Sequence, residues 1–116
     1  MVSFSFPKQL RILNRADFVN ANRSGKRLLT NHFVVTLRQN GLGITRLGVT
    51  VRKSIGNAVK RNRVKRLLRE VFRLNQSRFP QGYDIVIAAK KDADYMDLRN
   101  IEKELGEILF DQKLRL

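Results

Sequence analysis

Ser54-Ile-Gly-Asn-Ala-Val-Lys-Arg-Asn-Arg-Val-Lys-Arg-Leu-Leu-Arg-Glu-Val-Phe-Arg73 is the stretch from which the rest of the chain is read. Between Asn57 and Arg73 it carries seven Lys/Arg and one acid, Glu70. Val64, Leu67, Leu68, Val71 and Phe72 nevertheless recur at the i, i+3, i+4, i+7, i+8 spacing of a single helix face. That periodicity marks an amphipathic helix rather than a disordered basic tail. At about 100° per residue, Asn62, Arg66, Arg69 and Arg73 fall opposite the apolar arc and form a solvent-facing cationic stripe. Lys60 and Arg61 precede Val64 by one turn and project past the end of the core. Asn57 is placed to cap the helix, and the amides of its first turn favour an anion such as phosphate.

Lys/Arg runs on helices are commonly solvated faces in which acids alternate to form i,i+4 pairs. Here Glu70 is the only acid in reach. Seven like charges on five turns repel one another, so a counter-charge from outside is the better account of the pattern.

Outward from this helix, the chain of 116 residues is sized for one domain with its own core, and 42% hydrophobic content supports a globular fold. There is no cysteine, so disulfides, thiolate zinc sites and cysteine nucleophiles are excluded. No apolar run approaches membrane-spanning length and the N-terminus lacks a secretion signal, which makes the cytoplasm the expected address. The net charge of +14 is uneven: residues 1–83 hold 18 Lys/Arg against Asp17 and Glu70, whereas residues 84–116 hold six against eight acids. A polyanion partner therefore belongs to the first two-thirds of the chain. Nucleic acid is the commonest such partner; an anionic membrane fits less well, because the apolar face is narrow and Trp is absent.

Before the basic helix, Leu13-Asn14-Arg-Ala-Asp17-Phe18 reads as a helix start. Asn14 is the cap, Asp17 its reciprocal partner, and Leu13 with Phe18 a hydrophobic staple. Ser24-Gly25 ends this helix. A short strand is expected around Leu28-Leu29. A firmer one follows through Phe33–Arg38, with Phe33, Val35 and Leu37 on one side and Val34, Thr36 and Arg38 on the other. After the reversal at Gly41-Leu-Gly43, Arg46–Arg52 alternates again, with Leu47, Val49 and Val51 inward. These two strands are expected to form an antiparallel hairpin with a polar, basic outer face carrying Thr36, Arg38, Arg46, Thr50 and Arg52. Its hydroxyls and guanidinium groups suit a sugar-phosphate backbone.

Beyond the basic helix, Phe79-Pro80-Gln-Gly82 is a break and Tyr83–Ala89 a strand apolar enough to be buried on both sides. Asp97 caps a last helix with Leu98, Ile101, Leu105, Ile108 and Leu109 inward and Glu102, Glu104 and Glu107 outward. The expected architecture is a single α+β domain, an α–β sandwich of order αβββαβα with a small mixed sheet and a strand–helix–strand crossover.

No catalytic constellation is present. His32 is the lone histidine and has no Ser/Asp partners at triad spacing. Asp92, Asp94 and Asp97 read as helix-start capping before a cation site, and no phosphate-loop or dinucleotide fingerprint occurs. Of the aromatic residues, Phe33 is expected in the core, whereas Phe18, on a short helix near the basic region, suits either packing or base stacking.

Lys53-Ser-Ile-Gly-Asn-Ala-Val-Lys-Arg61-Asn62-Arg63-Val-Lys65-Arg66-Leu-Leu-Arg69-Glu resembles the signature of the bacterial ribonuclease P protein component, and the likeness extends from Leu13-x-x-x-x-Phe18 through the Tyr83-Asp-Ile-Val strand. The resemblance implies a ribosomal protein S5 domain 2-like sandwich whose crossover is left-handed, against the general right-handed preference. It further implies a protein subunit of a tRNA-maturing ribonucleoprotein. The catalytic groups and most of the magnesium would reside on the partner RNA, and the other partner would be precursor tRNA. No tightly bound cofactor, membrane or obligate protein partner is implied for the chain itself.

Carried over by position, Arg61, Asn62, Arg63, Lys65, Arg66 and Arg69 would contact RNA, joined by the neighbouring Lys53, Lys60 and Arg73. Phe18, Thr36, Arg46 and Thr50, flanked by Arg38 and Arg52, would line a cleft for the single-stranded 5′ leader. Asn22 stands where many relatives carry a second aromatic, and Ser54 where a second Lys is frequent, so leader stacking would rest on Phe18. The competing reading is a structural or ribosomal RNA-binding protein without a role in cleavage. A self-sufficient nuclease is disfavoured by the missing acid/base cluster.

Overall fold

The computed structural model describes residues 10–11 and 15–110, with Arg15, Phe18 and Asn22 described by their backbone alone. The expected cap at Asn14 and the Leu13–Phe18 staple therefore lie outside the described residues. The order is α1 (Arg15–Ser24), β1 (Lys26–Leu29), β2 (Phe33–Gln39), β3 (Arg46–Thr50), α2 (Ala58–Leu74), β4 (Tyr83–Ala89) and α3 (Leu98–Leu109). Single 3-10 turns occupy Lys53–Ile55, Gln76–Arg78 and Ala93–Tyr95.

The expected β2–β3 hairpin does not form. The strands run β1-β2-β4-β3, with β4 inserted between β2 and β3, antiparallel to the first and parallel to the second. The reason lies in β4 itself. Nearly every residue from Tyr83 to Ala89 is buried, and such a strand exposes too much apolar surface on an outer edge. The crossover through α2 returns it to the interior, where both of its edges are paired.

Pairing register aligns side chains into rows across the sheet. Leu37–Ile85–Leu47 and Val35–Ile87–Val49 share one face. Against them pack Val64, Leu68, Val71 and Phe72 of α2 and Ile101, Leu105 and Leu109 of α3, all in one core cluster. Both helix starts are capped as their sequences indicate: Asn57 Oδ1 accepts from the Lys60 amide at 3.0 Å, and Asp97 Oδ1 from the Asn100 amide at 2.8 Å.

The opposite face is the second correction. Its rows are Thr36–Val86–Gly48, Arg38–Asp84–Arg46 and Val34–Ala88–Thr50. It is not an open polar surface, because α1 packs on it through Ala21, which forms a small cluster with Val86. Gly48 adds no side chain to that row, so a helix can approach closely there. At the end of α1, Gly25 sits so near the sheet that a Cβ would fall 2.7 Å from Thr36 Cγ2 and 2.8 Å from the Leu37 carbonyl oxygen. Thr36 is accordingly 3% exposed rather than solvent-facing.

Candidate nucleic-acid interface

On α2 the buried arc derived from sequence holds, whereas the outer stripe faces solvent only in part and Arg61 does not project freely. Val64, Leu68, Val71 and Phe72 are buried, Leu67 is partly buried against the core, and Asn62 and Arg66 are exposed. Lys65, Arg69 and Arg73 are half-buried along the same flank, and Lys53 is exposed just ahead of the helix. Arg73 is bonded to Glu70 one turn back.

Arg11, which sequence reasoning did not single out, joins this surface. A parallel bridge to Leu47 ties it beside β3, and it borders a recess of about 350 Å³ with Arg66, Arg69, Glu70 and Arg73. Partial burial strips hydration from the Arg69 guanidinium, and Arg11 repels it, so its pKa falls below the ordinary arginine value. Four arginines around one recess, with a single carboxylate among its described lining residues, form a focused positive field suited to phosphodiester oxygens.

The motif residues divide in use. Lys60 is exposed, with Nζ 3.9 Å from Asp94 Oδ2 and 6.0 Å from the centre of the Tyr95 ring. Arg63 does not point outward: its Nη1 donates to the Asp94 carbonyl at 3.2 Å and the Met96 carbonyl at 2.9 Å, fastening α2 to the turn before α3. Arg61 is half-buried, and its Nε is buried without a hydrogen-bond partner. It is the only such atom among the described residues.

The sheet-face candidates divide too. Thr50 and Arg52 are exposed, and Thr50 shares a row with half-buried Val34 and Ala88, next to the row on which α1 rests. Arg38 lines a second recess of about 610 Å³ with Ser24, Gly25 and Lys26, at the end of α1. Arg46 is different. It donates to both oxygens of the buried Asp84, Nε to Oδ1 at 2.8 Å and Nη2 to Oδ2 at 2.6 Å, and lies 3.3 Å from Asp17 on α1. The hydrogen bond to Asp84 raises its pKa further, over the opposing effect of burial. Arg46 thus locks α1 onto the sheet, which shapes the cleft, while Phe18 lies on α1 with its side chain outside the described residues.

Among the described residues no group of three or more His, Cys, Asp or Glu side chains is arranged to hold a metal ion. No helix among them is long and apolar enough to cross a membrane. His32 is committed to Glu104, with Nδ1 2.7 Å from Oε1.

Comparison with known proteins identifies the family. The family model for ribonuclease P matches residues 6–113. The ribonuclease P protein component of Syntrophus aciditrophicus (strain SB) is 46% identical over 109 residues, covering 94% of this chain and 92% of that protein. Among solved structures, the RNase P protein from Thermotoga maritima superposes with a TM-score of 0.81 at 34% identity, covering 89% of this chain and 97% of that one. The Staphylococcus aureus RNase P protein superposes at 0.79, also at 34% identity, covering 85% and 91%. With the family model matching residues 6–113 and relatives alike over nearly the whole length, the chain belongs to the ribonuclease P protein component family.

Proposed function

We propose that this chain works as one RNA-binding domain, residues 1–116, that joins a catalytic RNA and helps it remove the 5′ leader from precursor tRNA in the cytoplasm. The observation that carries this reading is the flank of α2, where Arg66, Arg69 and Arg73 meet Arg11 around one recess with Glu70 as the single acid. An RNA phosphate backbone carries the charge complementary to this arginine-rich recess.

In this reading the chain's residues bind and position. Lys53, Lys65, Arg66 and Arg69 neutralise phosphates of the partner RNA. The sheet row of Thr50, Ala88 and Val34, beside Arg52 and α1, takes the unpaired leader, with Thr50 donating to its sugar-phosphate backbone. Magnesium held by the RNA supplies the activation of the scissile phosphodiester. Because lysine and arginine screen repulsion between RNA strands, assembly and cleavage need less of it.

The test mixes the purified chain with a ribonuclease P RNA and a precursor tRNA at limiting magnesium. Cleavage at the mature 5′ end stimulated only when protein and RNA are both present supports the reading. Binding without stimulation points to a structural RNA-binding protein, and cleavage by the protein alone to a nuclease; either overturns it.

A further inference from the structure

Tyr95 is 78% exposed in the turn before α3, and its backbone is held from both sides. The two carbonyls that flank it in sequence, Asp94 and Met96, both accept hydrogen bonds from Arg63 Nη1. The next residue, Met96, is buried in the core. An exposed aromatic ring on a freely moving turn is ordinary; this one stands on a turn clamped by an arginine of the basic helix. Lys60, from the first turn of α2, places its ammonium over the ring at 6.0 Å from the centre. One face of the ring is thus associated with a cation, and the rest is open to solvent.

We propose that Tyr95 is a stacking platform for a single unpaired base of the RNA that lies along α2. The inference rests on the RNA-binding reading given above. Phosphates following α2 toward its N-terminal end meet Lys60, and the adjacent base then reaches the Tyr95 ring. Stacking of a base on an aromatic side chain is tolerant of base identity, because every base offers a π face. Beyond the ring lies a recess of about 500 Å³ whose polar lining comprises Asn31, His32, Asn100 and Lys103 with the carboxylates of Asp92, Glu104 and Glu107. Its three carboxylates outnumber its one lysine and disfavour a phosphate backbone, whereas its amides suit the edge of a neutral base. The strand therefore turns away here and leaves one base behind. Arg63 is the positioning residue: it acts through the turn and not on the nucleotide.

The chain carries its own probe, since it has two tyrosines and no tryptophan, and the other, Tyr83, is 8% exposed. Intrinsic tyrosine emission is followed while the full chain is titrated with a single-stranded oligouridylate and, separately, with a blunt RNA duplex of the same length. Affinity for the oligouridylate is then compared in wild type, Tyr95→Phe and Tyr95→Ala, with the salt dependence and melting temperature of each. The expected result is quenching by the single strand but not by the duplex. Tyr95→Ala should weaken binding about tenfold with salt slope and melting temperature unchanged, while Tyr95→Phe retains wild-type affinity. Equal quenching by the duplex, Tyr95→Ala binding as tightly as wild type, or Tyr95→Phe as weak as Tyr95→Ala would each overturn the platform while leaving RNA binding intact. Failure of the wild-type chain to bind either RNA overturns the underlying reading as well.

Discussion

Arg46 and Asp84 face each other across neighbouring parallel strands and are joined by two hydrogen bonds, at 2.8 and 2.6 Å, with the carboxylate only 1% exposed. Arg46 keeps 19% exposure and a second partner in Asp17, whereas among the described residues Asp84 has beyond Arg46 only the amide of Asn40, at 3.0 Å, within hydrogen-bonding distance. The two halves of the pair are therefore unequal. Arg46→Ala strands a buried charge and should cost about 3 kcal/mol. Asp84→Ala leaves an arginine that reaches Asp17 and water, and should cost about 1–2 kcal/mol. Urea unfolding of the two variants checks the order; equal losses would mean that Asp84 is hydrated in solution.

The same carboxylate makes stability depend on acid. Burial pushes the Asp84 pKa up, but hydrogen bonds from Arg46 and Asn40, with the charges of Arg46 and Arg38, outweigh it and hold the group below its ordinary 3.8. Glu104 is likewise held below 4.5, against burial, by Thr30 and His32. A depressed native pKa means that the unfolded chain binds the proton first. The stabilisation is complete above these ordinary values and is lost as pH falls through the native ones. Urea midpoints should therefore lose this contribution below about pH 4.5, and the loss should be shallower in Asp84→Asn.

Both carboxylates explain where sequence reading reached and where it stopped. Periodicity identified α2, its buried arc and the caps Asn57 and Asp97, because those features depend on neighbours within a few residues. It identified β4 as doubly buried, for the same reason. Alternation along β2 and β3 assigns faces but not neighbours, so the insertion of β4 between them was not legible, nor was the burial of Thr36 under α1. Arg46 and Asp84 are 38 residues apart, and Arg63 reaches carbonyls 31 and 33 residues away. An acid within an otherwise apolar strand was the one available signal that Asp84 had a cationic partner.

Arg63 and Arg66, three positions apart on α2, should separate by readout. Arg66 is exposed beside the arginine recess, so Arg66→Ala together with Arg69→Ala should flatten the slope of log affinity against log salt by roughly one unit for each phosphate no longer neutralised. Arg63→Ala removes a donor to two backbone carbonyls and should lower stability by about 1–3 kcal/mol while leaving that slope near wild type. An unchanged slope in the Arg66/Arg69 double variant would remove the recess as an RNA surface.

Glu104 is read from sequence as an outward residue of α3, yet it fastens the β1–β2 turn to that helix. Its Oε2 accepts from Thr30 Oγ1 at 2.6 Å and from the His32 amide at 2.8 Å, and Oε1 lies 2.7 Å from His32 Nδ1. The carboxylate is 15% exposed, so solvent screens it only in part. Glu104→Gln keeps the shape and one acceptor oxygen, and should cost about 1 kcal/mol; Glu104→Ala leaves the turn donors without their acceptor and should cost about 2–3 kcal/mol. The arginine recess is lined by Arg11, Arg66, Arg69, Glu70 and Arg73 and by no residue of this turn, so the slope of log affinity against log salt, measured below the melting transition, should stay near wild type. A Glu104→Ala chain with a flattened salt slope would instead couple this turn to the arginine recess.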